Sequence, residues 1–386
     1  MRLLLLSDPN SAHTLKWARS LAAKNIEVMI FGLGVLTNDA YRCFPNISVR
    51  TMGQSVSRDE GAFSKLKYLG TIRELKRLIA EFRPDVVHAH YATSYGMLGA
   101  LSGFHPFVLS VWGGDVFSFP SRSPIHRAVL KYNLRKADRI LSTSHVMARE
   151  TKKYTVKPIE VTPFGIDLSV FKPESVKGPF ADGDIVIGTV KTLEPKYGIE
   201  YLVRAFHQVR GRHPELPLKL LIVGGGSLNQ QLRSLVRELG MDGCTHFAGA
   251  VRYDEVPKYQ NMLSVSVSVS IADSESFGVA IIEAGACEKP VVVSNVGGLP
   301  EVVENGVTGF VVPPRDVDAT AVAMERLVLD PVLRASMGGH GRERVRELYD
   351  WNENVAQMLA IYAELSPAAA PSGDKRDSFK SPRKVA

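Results

Sequence analysis

The sequence predicts an α/β protein in which two doubly wound parallel sheets face each other across a cleft. Short apolar segments alternate with amphipathic helical segments along residues 1–365, which is typical of parallel sheets. The alternation restarts after a stretch rich in Pro, Gly and Asp at 163–183, and 386 residues suffice for about two to three domains. Because ligands of open parallel sheets bind at the carboxyl ends of the strands, such a cleft can hold two substrates at once.

The first half begins with four consecutive leucines, which indicate a buried strand because the apolar stretch is too short for a signal peptide. Further short apolar segments predict strands, and segments with helical periodicity separate them. The strands are expected at Arg2–Ser7, Glu27–Gly32, Asp85–Ala89, Phe107–Val111, Arg139–Ser142 and Glu160–Thr162. The helices are expected at Ala12–Lys24, Lys65–Phe82, Ser94–Ser102 and Pro124–Ala137.

The second half repeats this pattern and ends in two helices. Its strands are expected at Ile185–Val190, Leu218–Val223, Thr245–Ala248, Val265–Val269 and Pro290–Val293. Its helices are expected at Ile199–Arg210, Leu228–Leu239, Val279–Ala286, Pro331–Tyr349 and Glu353–Leu365. We therefore predict an N-terminal domain at 1–168, a C-terminal domain at 169–350, a helix at 351–365 that packs back toward the N-terminal domain, and a disordered basic tail at 366–386.

Charge is distributed unevenly along the chain. Residues 1–170 carry a net charge of +10, residues 171–365 carry −6 and the tail carries +3, for a total of +7. A basic half suggests an anionic partner such as a phospholipid or a phosphorylated substrate, although a solvated basic face gives the same count. Nucleic acid is disfavoured because the sequence lacks helix-turn-helix, RNP and zinc-finger patterns.

The segment 121–139 is the most basic helical segment of this half. Its lysines and arginines are interleaved with Ile125, Val129 and Leu130, which is typical of a helix at a membrane surface. Our hypothesis is that this helix binds anionic lipid head groups, and a solvated helix face is the alternative.

Cysteine usage and hydropathy indicate a cytoplasmic protein. The distant Cys43, Cys244 and Cys287 lack metal-binding spacing, so we expect reduced thiols and no zinc site. No apolar run approaches the roughly 18 residues of a membrane span. We expect peripheral association with the inner face of the cell membrane if the basic helix binds lipid.

The segment 273–284 carries the strongest chemical signal. Glu275 and Glu283 lie eight residues apart, and Gly278 opens an apolar helical run between them. A helix N-terminus presents free N–H groups and a partial positive charge, which suits a phosphate. Eight helical residues rise about 12 Å, so the two carboxylates can accept hydrogen bonds from hydroxyls at opposite ends of a nucleotide-linked sugar.

This segment resembles the Glu-x7-Glu motif of the retaining family 4 glycosyltransferases, which have the two-domain GT-B fold. The resemblance covers nearly all of residues 1–365 and includes the segments 297–301 and 306–312. It implies that Glu275 binds the donor sugar and that Glu283 binds the nucleotide ribose. The residues that it places at the donor through their backbone are Phe277, Gly278, Val279, Gly225, Gly226 and Val251.

Two lysines follow the predicted strand Ile185–Val190. Lys191 and Lys196 at the carboxyl end of a strand can neutralise a pyrophosphate. Lys191 stands where the family usually has Arg, so the planar guanidinium is replaced by a single ammonium group. The nearby glycine loop is a weak signal alone, because Asn229 stands where a dinucleotide fingerprint has its third glycine.

The resemblance places the acceptor side in the N-terminal domain. It implies that His90, at a strand end, lies near the donor sugar, although a hydrogen-bonded structural histidine is the alternative. Metal binding by His88 and His90 is disfavoured because no third ligand has a fixed spacing to them. Asp115 resembles the acceptor-side acid of the family.

Two positions depart from the family pattern. Asp8–Ser11 replaces the Gly-Gly pair that many members carry after the first strand. Ser11 is still expected to cap the following helix and to leave N–H groups aimed at a phosphate or an acceptor. Phe164 stands at the usual Asn of the linker motif, a change for which the sequence gives no physical reason.

The resemblance implies transfer of a sugar from a nucleoside diphosphate sugar, with retention at the anomeric carbon, to a glycan or lipid-linked acceptor in cell-surface polysaccharide or lipopolysaccharide assembly. Lys191, Lys196 and the helix N-terminus would stabilise the leaving diphosphate without a metal or a cofactor. Same-face attack and double displacement both fit the sequence. Domain closure would exclude water.

Other functions of this fold are alternatives at this point. A sugar-nucleotide epimerase would turn over the donor without an acceptor, and a phosphorylase would bring pyridoxal phosphate. A non-catalytic sugar-nucleotide binding subunit is disfavoured by the intact Glu275, Glu283 and Lys196. A nicotinamide oxidoreductase is disfavoured by the missing glycine fingerprint.

Overall fold

The structure is a computed structural model and describes residues 1–53 and 71–366. The strands of the N-terminal part are β1 (Arg2–Leu6), β2 (Glu27–Gly32), β3 (Ile47–Thr51), β4 (Val86–His90), β5 (Phe107–Val111), β6 (Arg139–Ser142) and β7 (Glu160–Val161). The helices are α1 (Ala12–Ala22), α2 (Ile72–Phe82), α3 (Ser94–Ser102), α4 (Gly114–Phe117), α5 (Pro124–Lys136) and α6 (His145–Lys152).

The C-terminal part has the same alternation. Its strands are β8 (Ile185–Val190), β9 (Leu218–Val223), β10 (Thr245–Gly249), β11 (Val265–Ser268), β12 (Val291–Ser294) and β13 (Gly309–Val312). Its helices are α7 (Ile199–Arg212), α8 (Asn229–Glu238), α9 (Val256–Met262), α10 (Val279–Ala286), α11 (Leu299–Val302), α12 (Val317–Leu329), α13 (Pro331–Leu348) and α14 (Trp351–Leu365).

The strand order confirms the predicted fold class. Within the described residues, one sheet has the order β3-β2-β1-β4-β5-β6-β7 and the other has the order β10-β9-β8-β11-β12-β13. All neighbouring strands are parallel. The strand order reverses between β1 and β4 and between β8 and β11, which places a ligand crevice at the carboxyl ends of these strands.

The sheets are apolar because helices cover both of their faces. Leu3 to Leu6 of β1 are at most 1% exposed. His88 and His90 are polar exceptions on β4, and both are buried. In the described ranges, no helix is both long and apolar enough to cross a membrane.

Helix α14 returns from the C-terminal part to the first sheet. Its Met358 and Tyr362 belong to one buried cluster with residues of β1 and α1. Trp351, at its start, contacts Trp17 with ring centroids 4.5 Å apart. The Tyr362 hydroxyl lies 2.6 Å from Nδ1 of His88, so the helix also reaches the buried histidines of β4.

The stretch 163–183, whose Pro, Gly and Asp content predicts a linker, is buried at its start. Phe164, Ile166 and Phe171 are 8%, 0% and 1% exposed. Ile166 also forms a parallel bridge with Asp350. Residues 164–166 and Phe171 therefore pack in the interior, whereas residues 172–183 are mostly exposed.

The sequence analysis missed several elements, namely β3, β13, α4, α6, α9, α11 and α12. Strand β3 is an edge strand with alternating burial, and α6 is a short polar helix, so neither has a strong apolar signal. The predicted helix 65–82 is observed at Ile72–Phe82. Its start and the tail 367–386 lie outside the described residues.

Candidate functional site

The loop between β11 and α10 carries Glu275 to the crevice. Oε2 of Glu275 lies 3.0 Å from Nζ of Lys191, and the Ser270 hydroxyl donates to the same oxygen at 3.3 Å. The side chains of Lys191 and Glu275 are only 16% and 11% exposed. The residues predicted to meet the diphosphate and the donor sugar are therefore a largely desolvated ion pair.

The two predicted lysines lie against one aromatic ring that the sequence analysis missed. Nζ of Lys191 is 4.4 Å and Nζ of Lys196 is 4.8 Å from the ring centroid of Tyr197. The aromatic face attracts both ammonium groups and holds two like charges near each other. Such a cationic pair is suited to a diphosphate.

Helix α10 begins at the crevice with a glycine that no other residue can replace easily. Gly278 has φ +101° at the N-cap, and an added Cβ would lie 2.8 Å from Cδ2 of Leu299. Phe277 is 3% exposed and anchors the preceding residue in the core. No side chain in the described part of the chain caps this helix. The Ile281 N–H donates to the Gly278 carbonyl at 3.0 Å, so the N–H groups of Val279 and Ala280 are the ones left to bind an anion.

Glu283 lies one turn further along α10 and is 5% exposed. Burial raises the pKa of its carboxyl to about 7, and the positive charges of Lys191 and Lys16 partly oppose this. The side chains of Tyr253 and Gln260 are hydrogen-bonded to it. These two partners were missed because they come from the segment around α9, which has no motif that the sequence analysis recognised.

The glycine loop after β9 packs against the segment that carries Lys191. Leu193 N–H donates to the carbonyl of Gly225 at 2.9 Å. A Cβ on Gly224 would lie 1.9 Å from the Lys191 carbonyl oxygen, and a Cβ on Gly226 would lie 2.4 Å from that of Leu193. The loop therefore needs glycines for close packing, and the partly buried Val251 lies in the neighbouring apolar cluster.

His90 forms part of the opposite wall. It is 2% exposed, its Nδ1 lies 3.0 Å from Oγ of Ser7, and its ring centroid is 4.2 Å from that of Trp112. Burial, with the neighbouring His88 and His13, holds its pKa well below the ordinary value, so the imidazole is neutral. Among the described residues, no three His, Cys, Asp or Glu side chains converge to hold a metal ion.

Asp115 is a buried support for the loop after β5. Its carboxylate accepts hydrogen bonds from the N–H groups of Ala92 and Gly113, each at 2.8 Å, and it is 1% exposed. Burial raises its pKa and these backbone donors lower it. This geometry gives Asp115 a positioning role for the loop, and its role as an acceptor-side acid stays a prediction.

The loop after β5, which Asp115 supports, contacts the loop that carries Glu275 across the cleft. The Ser276 hydroxyl donates to the carbonyl oxygen of Trp112 at 3.1 Å. A Cβ on Gly113 would lie 3.0 Å from Oγ of Ser276, so the two loops touch closely. This contact brings the wall of His90 and Trp112 next to Glu275.

The prediction that the Ser11 side chain caps α1 is wrong. Ser11 occupies the N-cap position with an extended backbone, but its side chain makes no capping hydrogen bond. The first turn of α1 contributes His13 to the cleft, and its ring stacks on Phe164 with centroids 4.4 Å apart. Phe164 also contacts Phe277 at 5.8 Å, so this departure from the family pattern fills the space between the two domains with an aromatic ring.

Comparisons with known proteins agree with this architecture. Residues 2–144 match the glycosyl transferase 4-like family, and residues 170–344 match the glycosyl transferases group 1 family. A GDP-mannose-dependent alpha-(1-6)-phosphatidylinositol monomannoside mannosyltransferase of Mycolicibacterium smegmatis is 30% identical over 74% of this chain and 78% of that protein. A D-inositol 3-phosphate glycosyltransferase of Kribbella flavida is 31% identical over 72% of this chain and 70% of that protein. The chain therefore belongs to the family 4-like glycosyltransferases.

Solved structures show the same fold. Sucrose-phosphate synthase from Thermosynechococcus elongatus superposes with a TM-score of 0.80 at 24% identity, covering 96% of this chain and all of that chain. Anabaena HepE in complex with UDP superposes with a TM-score of 0.76 at 20% identity, covering 95% of this chain and all of that chain. At these identities the likeness establishes the GT-B fold.

The raised pKa of Glu283 predicts a pH-dependent stability. An ordinary glutamate loses its proton near pH 4.5, whereas folded Glu283 loses it near pH 7. The unfolded chain therefore binds fewer protons between these values, and the free energy of unfolding falls as the pH rises from 4.5 to 7. We expect Glu283→Gln to lack this contribution and to be more stable than wild type at pH 8 by about 3 kcal/mol.

Urea unfolding of both proteins at pH 5 and pH 8 measures the difference. The exposed Glu347→Gln serves as the control and should keep the wild-type dependence. An equal loss of stability between the two pH values in wild type and in Glu283→Gln would show that Glu283 titrates normally.

Proposed function

We propose that the protein is a retaining, metal-independent hexosyltransferase that moves a sugar from a nucleoside diphosphate sugar to a glycan or lipid-linked acceptor. The observation that carries the proposal is the convergence of Lys191, Glu275 and the uncapped N-terminus of α10 at the carboxyl edge of one sheet. Cations and free N–H groups there suit a diphosphate, and the adjacent carboxylate suits sugar hydroxyls.

The donor lies along the first turns of α10 in this proposal. Its diphosphate binds the N–H groups at Gly278 and Val279 together with the ammonium groups of Lys191 and Lys196. Negative charge grows on the leaving diphosphate in the transition state, and these preformed donors stabilise it. Glu283, oriented by Tyr253 and Gln260, accepts hydrogen bonds from the ribose hydroxyls.

Retention follows from same-face attack, in which the leaving phosphate accepts the proton of the acceptor hydroxyl. A double displacement needs a carboxylate nucleophile against the anomeric carbon. Glu275 is held by Lys191 and Ser270, which favours hydroxyl binding over nucleophilic attack. The neutral imidazole of His90 offers the sugar a hydrogen bond without a positive charge. The mannosyltransferase relative is named for an alpha linkage, which also favours retention.

The acceptor belongs to cell-surface glycan assembly in this proposal. The M. smegmatis relative is named for a phosphatidylinositol monomannoside, a lipid-linked acceptor. Helix α5 exposes Arg127 and Lys131, and Ile125 just inside its first turn is 60% exposed. Exposed cations beside an exposed apolar side chain are suited to anionic head groups, so we place the protein in the cytoplasm with peripheral association at the inner face of the membrane.

Nucleotide binding is tested by a thermal-shift panel of UDP-, GDP-, ADP- and dTDP-sugars. We expect one nucleotide to raise the melting temperature of wild type and of Glu347→Ala, and not of Glu283→Ala, because the ribose loses its hydrogen-bond acceptor. With that donor, Lys191→Met should lower kcat by about 100-fold because the leaving diphosphate loses a cation.

A turnover assay with the donor that the panel selects identifies the reaction class. Retention predicts that the product, examined by proton NMR, keeps the anomeric configuration of the donor, and an inverted product contradicts it. Conversion of the donor into an epimeric nucleotide sugar without an acceptor would favour the epimerase. Binding of a donor without turnover would favour the non-catalytic subunit, and no shift with any donor would contradict the proposed donor site.

Membrane binding is tested by flotation with vesicles of phosphatidylcholine and phosphatidylglycerol. We expect wild type to float and the double variant Arg127→Glu and Lys131→Glu to remain at the bottom, since the reversed charges repel anionic lipid. The matched control reverses Arg204 and Arg210 on α7 of the other domain, both exposed, and should float like wild type. Equal flotation of both variants would contradict the role of α5.

A further inference from the structure

We propose that Glu301 is a positioning residue that clasps the two domains together and thereby holds Glu275 in place for sugar transfer. This inference rests on the transfer reaction proposed above. It concerns a carboxylate of the C-terminal domain that binds the backbone of the N-terminal domain, outside the donor site itself.

The contact is a helix cap shared between two domains. Oε2 of Glu301 accepts a hydrogen bond from the N–H of His145 at 2.8 Å, and Oε1 accepts one from the N–H of Val146 at 2.5 Å. The hydroxyl of Ser144 accepts the next N–H, that of Met147, at 3.2 Å. The free N–H groups in the first turn of α6 therefore find acceptors partly in the N-cap Ser144 and partly in Glu301, which lies 155 or 156 positions away in the sequence.

Electrostatics favour this contact. A carboxylate at a helix N-terminus interacts favourably with the helix dipole, and hydrogen bonds to a charged acceptor are stronger than neutral ones. Nη2 of Arg149, one turn into α6, lies 3.7 Å from Oε1 of Glu301 and adds a second attraction. The Glu301 side chain is 22% exposed, so water screens these interactions only in part.

The backbone of Glu301 is fixed within its own domain. Its carbonyl oxygen accepts hydrogen bonds from Nη2 of Arg344 at 3.0 Å and from the hydroxyl of Tyr349 at 3.3 Å. The carboxylate is thus presented on a rigid base, and the contact across the cleft requires the domains to be in their closed arrangement.

Two glycines connect the segment that carries Glu301 to the loop that carries Glu275. The N–H of Gly298 donates to the carbonyl of Glu275 at 2.8 Å. A Cβ on Gly297 would lie 2.0 Å from the Glu275 carbonyl oxygen, and a Cβ on Gly298 would lie 2.4 Å from that of Ser276. A shift of the segment that carries Glu301 would therefore displace the backbone of Glu275.

A cavity of about 580 Å³ adjoins the clasp, with residues of both domains in its wall. Val146 and Arg149 line it from α6, and Ser274 and Gly297 line it from the other domain. This cavity is open to solvent, and loss of the clasp would widen it toward the loop that carries Glu275 and bring water closer to the donor. Closure by Glu301 therefore favours transfer over hydrolysis of the donor.

Kinetics of Glu301→Ala and Glu301→Gln test the inference. We expect kcat for transfer to fall about tenfold or more in Glu301→Ala, and less in Glu301→Gln, whose amide oxygen still accepts one hydrogen bond. The KM for the donor should change less than kcat, because most of the proposed donor contacts lie in the C-terminal domain and are independent of the clasp. The hydrolysed share of the donor should rise. Glu304→Gln is the matched control, since Glu304 faces Arg344 of its own domain at 3.7 Å.

A variant on the other side of the contact keeps the carboxylate and removes a donor. His145→Pro deletes the N–H that Glu301 accepts, and proline is tolerated at the first position of a helix. Ser144 before it has φ −152° and ψ 159°, a conformation that a following proline allows. We expect His145→Pro to lower kcat as much as Glu301→Gln does. The double variant His145→Pro with Glu301→Gln should show no further loss of kcat, because both changes remove the same hydrogen bond.

Small-angle scattering separates the clasp from the reaction. With the bound nucleoside diphosphate, Glu301→Ala should have a larger radius of gyration than wild type and Glu304→Gln, whether or not any acceptor is turned over. Wild-type scattering in Glu301→Ala, or a lowered melting temperature with unchanged kcat and hydrolysed share, would overturn the inference. Failure of wild type to transfer from any donor would overturn the proposed function instead, and scattering would still test the clasp.

Discussion

The ion pair between Lys191 and Glu275, 3.0 Å apart and largely desolvated, is the interaction on which the rest of the site depends. The pair exists because β8 and β11 are neighbours in the sheet although they are distant in sequence. Residues that follow each strand therefore meet at the same edge. A largely buried ion pair tolerates the loss of neither partner, since the remaining charge would be uncompensated. Free N–H groups of α10 and the ring of Tyr197 complete the cationic surroundings that suit a diphosphate.

Close contacts between backbone segments fix the positions of Lys191 and Glu275 relative to both domains. Gly224 and Gly226 let the loop after β9 lie against the segment of Lys191. Gly297 lets the loop after β12 lie against the backbone of Glu275. The loop of Glu275 in turn contacts the Trp112 loop, which buried Asp115 supports through backbone amides. The catalytic arrangement is thus built from main-chain contacts as much as from side chains. Because these main-chain contacts join the two domains at the loop of Glu275, a movement of one domain also moves a residue proposed to bind the donor.

The fold, and the positions of Glu275 and Glu283 around the start of α10, could be predicted from the sequence because they leave local signals. Alternating apolar segments specify the parallel sheets, and Glu275 and Glu283 flank a glycine that opens an apolar helix. The remaining features depend on contacts between distant segments. The stacking of His13 on Phe164 and the bonds from Tyr253 and Gln260 to Glu283 have no local pattern. Ser11 has the right position for a cap but its side chain makes no capping hydrogen bond, and the burial of Asp115 under backbone N–H groups has no local signal either.

The central claim is that a nucleoside diphosphate binds at the N-terminus of α10 beside Lys191. A crystal structure of the protein with the nucleotide that the thermal-shift panel selects tests this most directly. The account predicts phosphate oxygens within about 2.7–3.2 Å of Nζ of Lys191 and of the N–H groups at Gly278 and Val279, with the ribose hydroxyls on Glu283. A nucleotide bound elsewhere, with the N-terminus of α10 and Lys191 making no contact to it, would contradict the account.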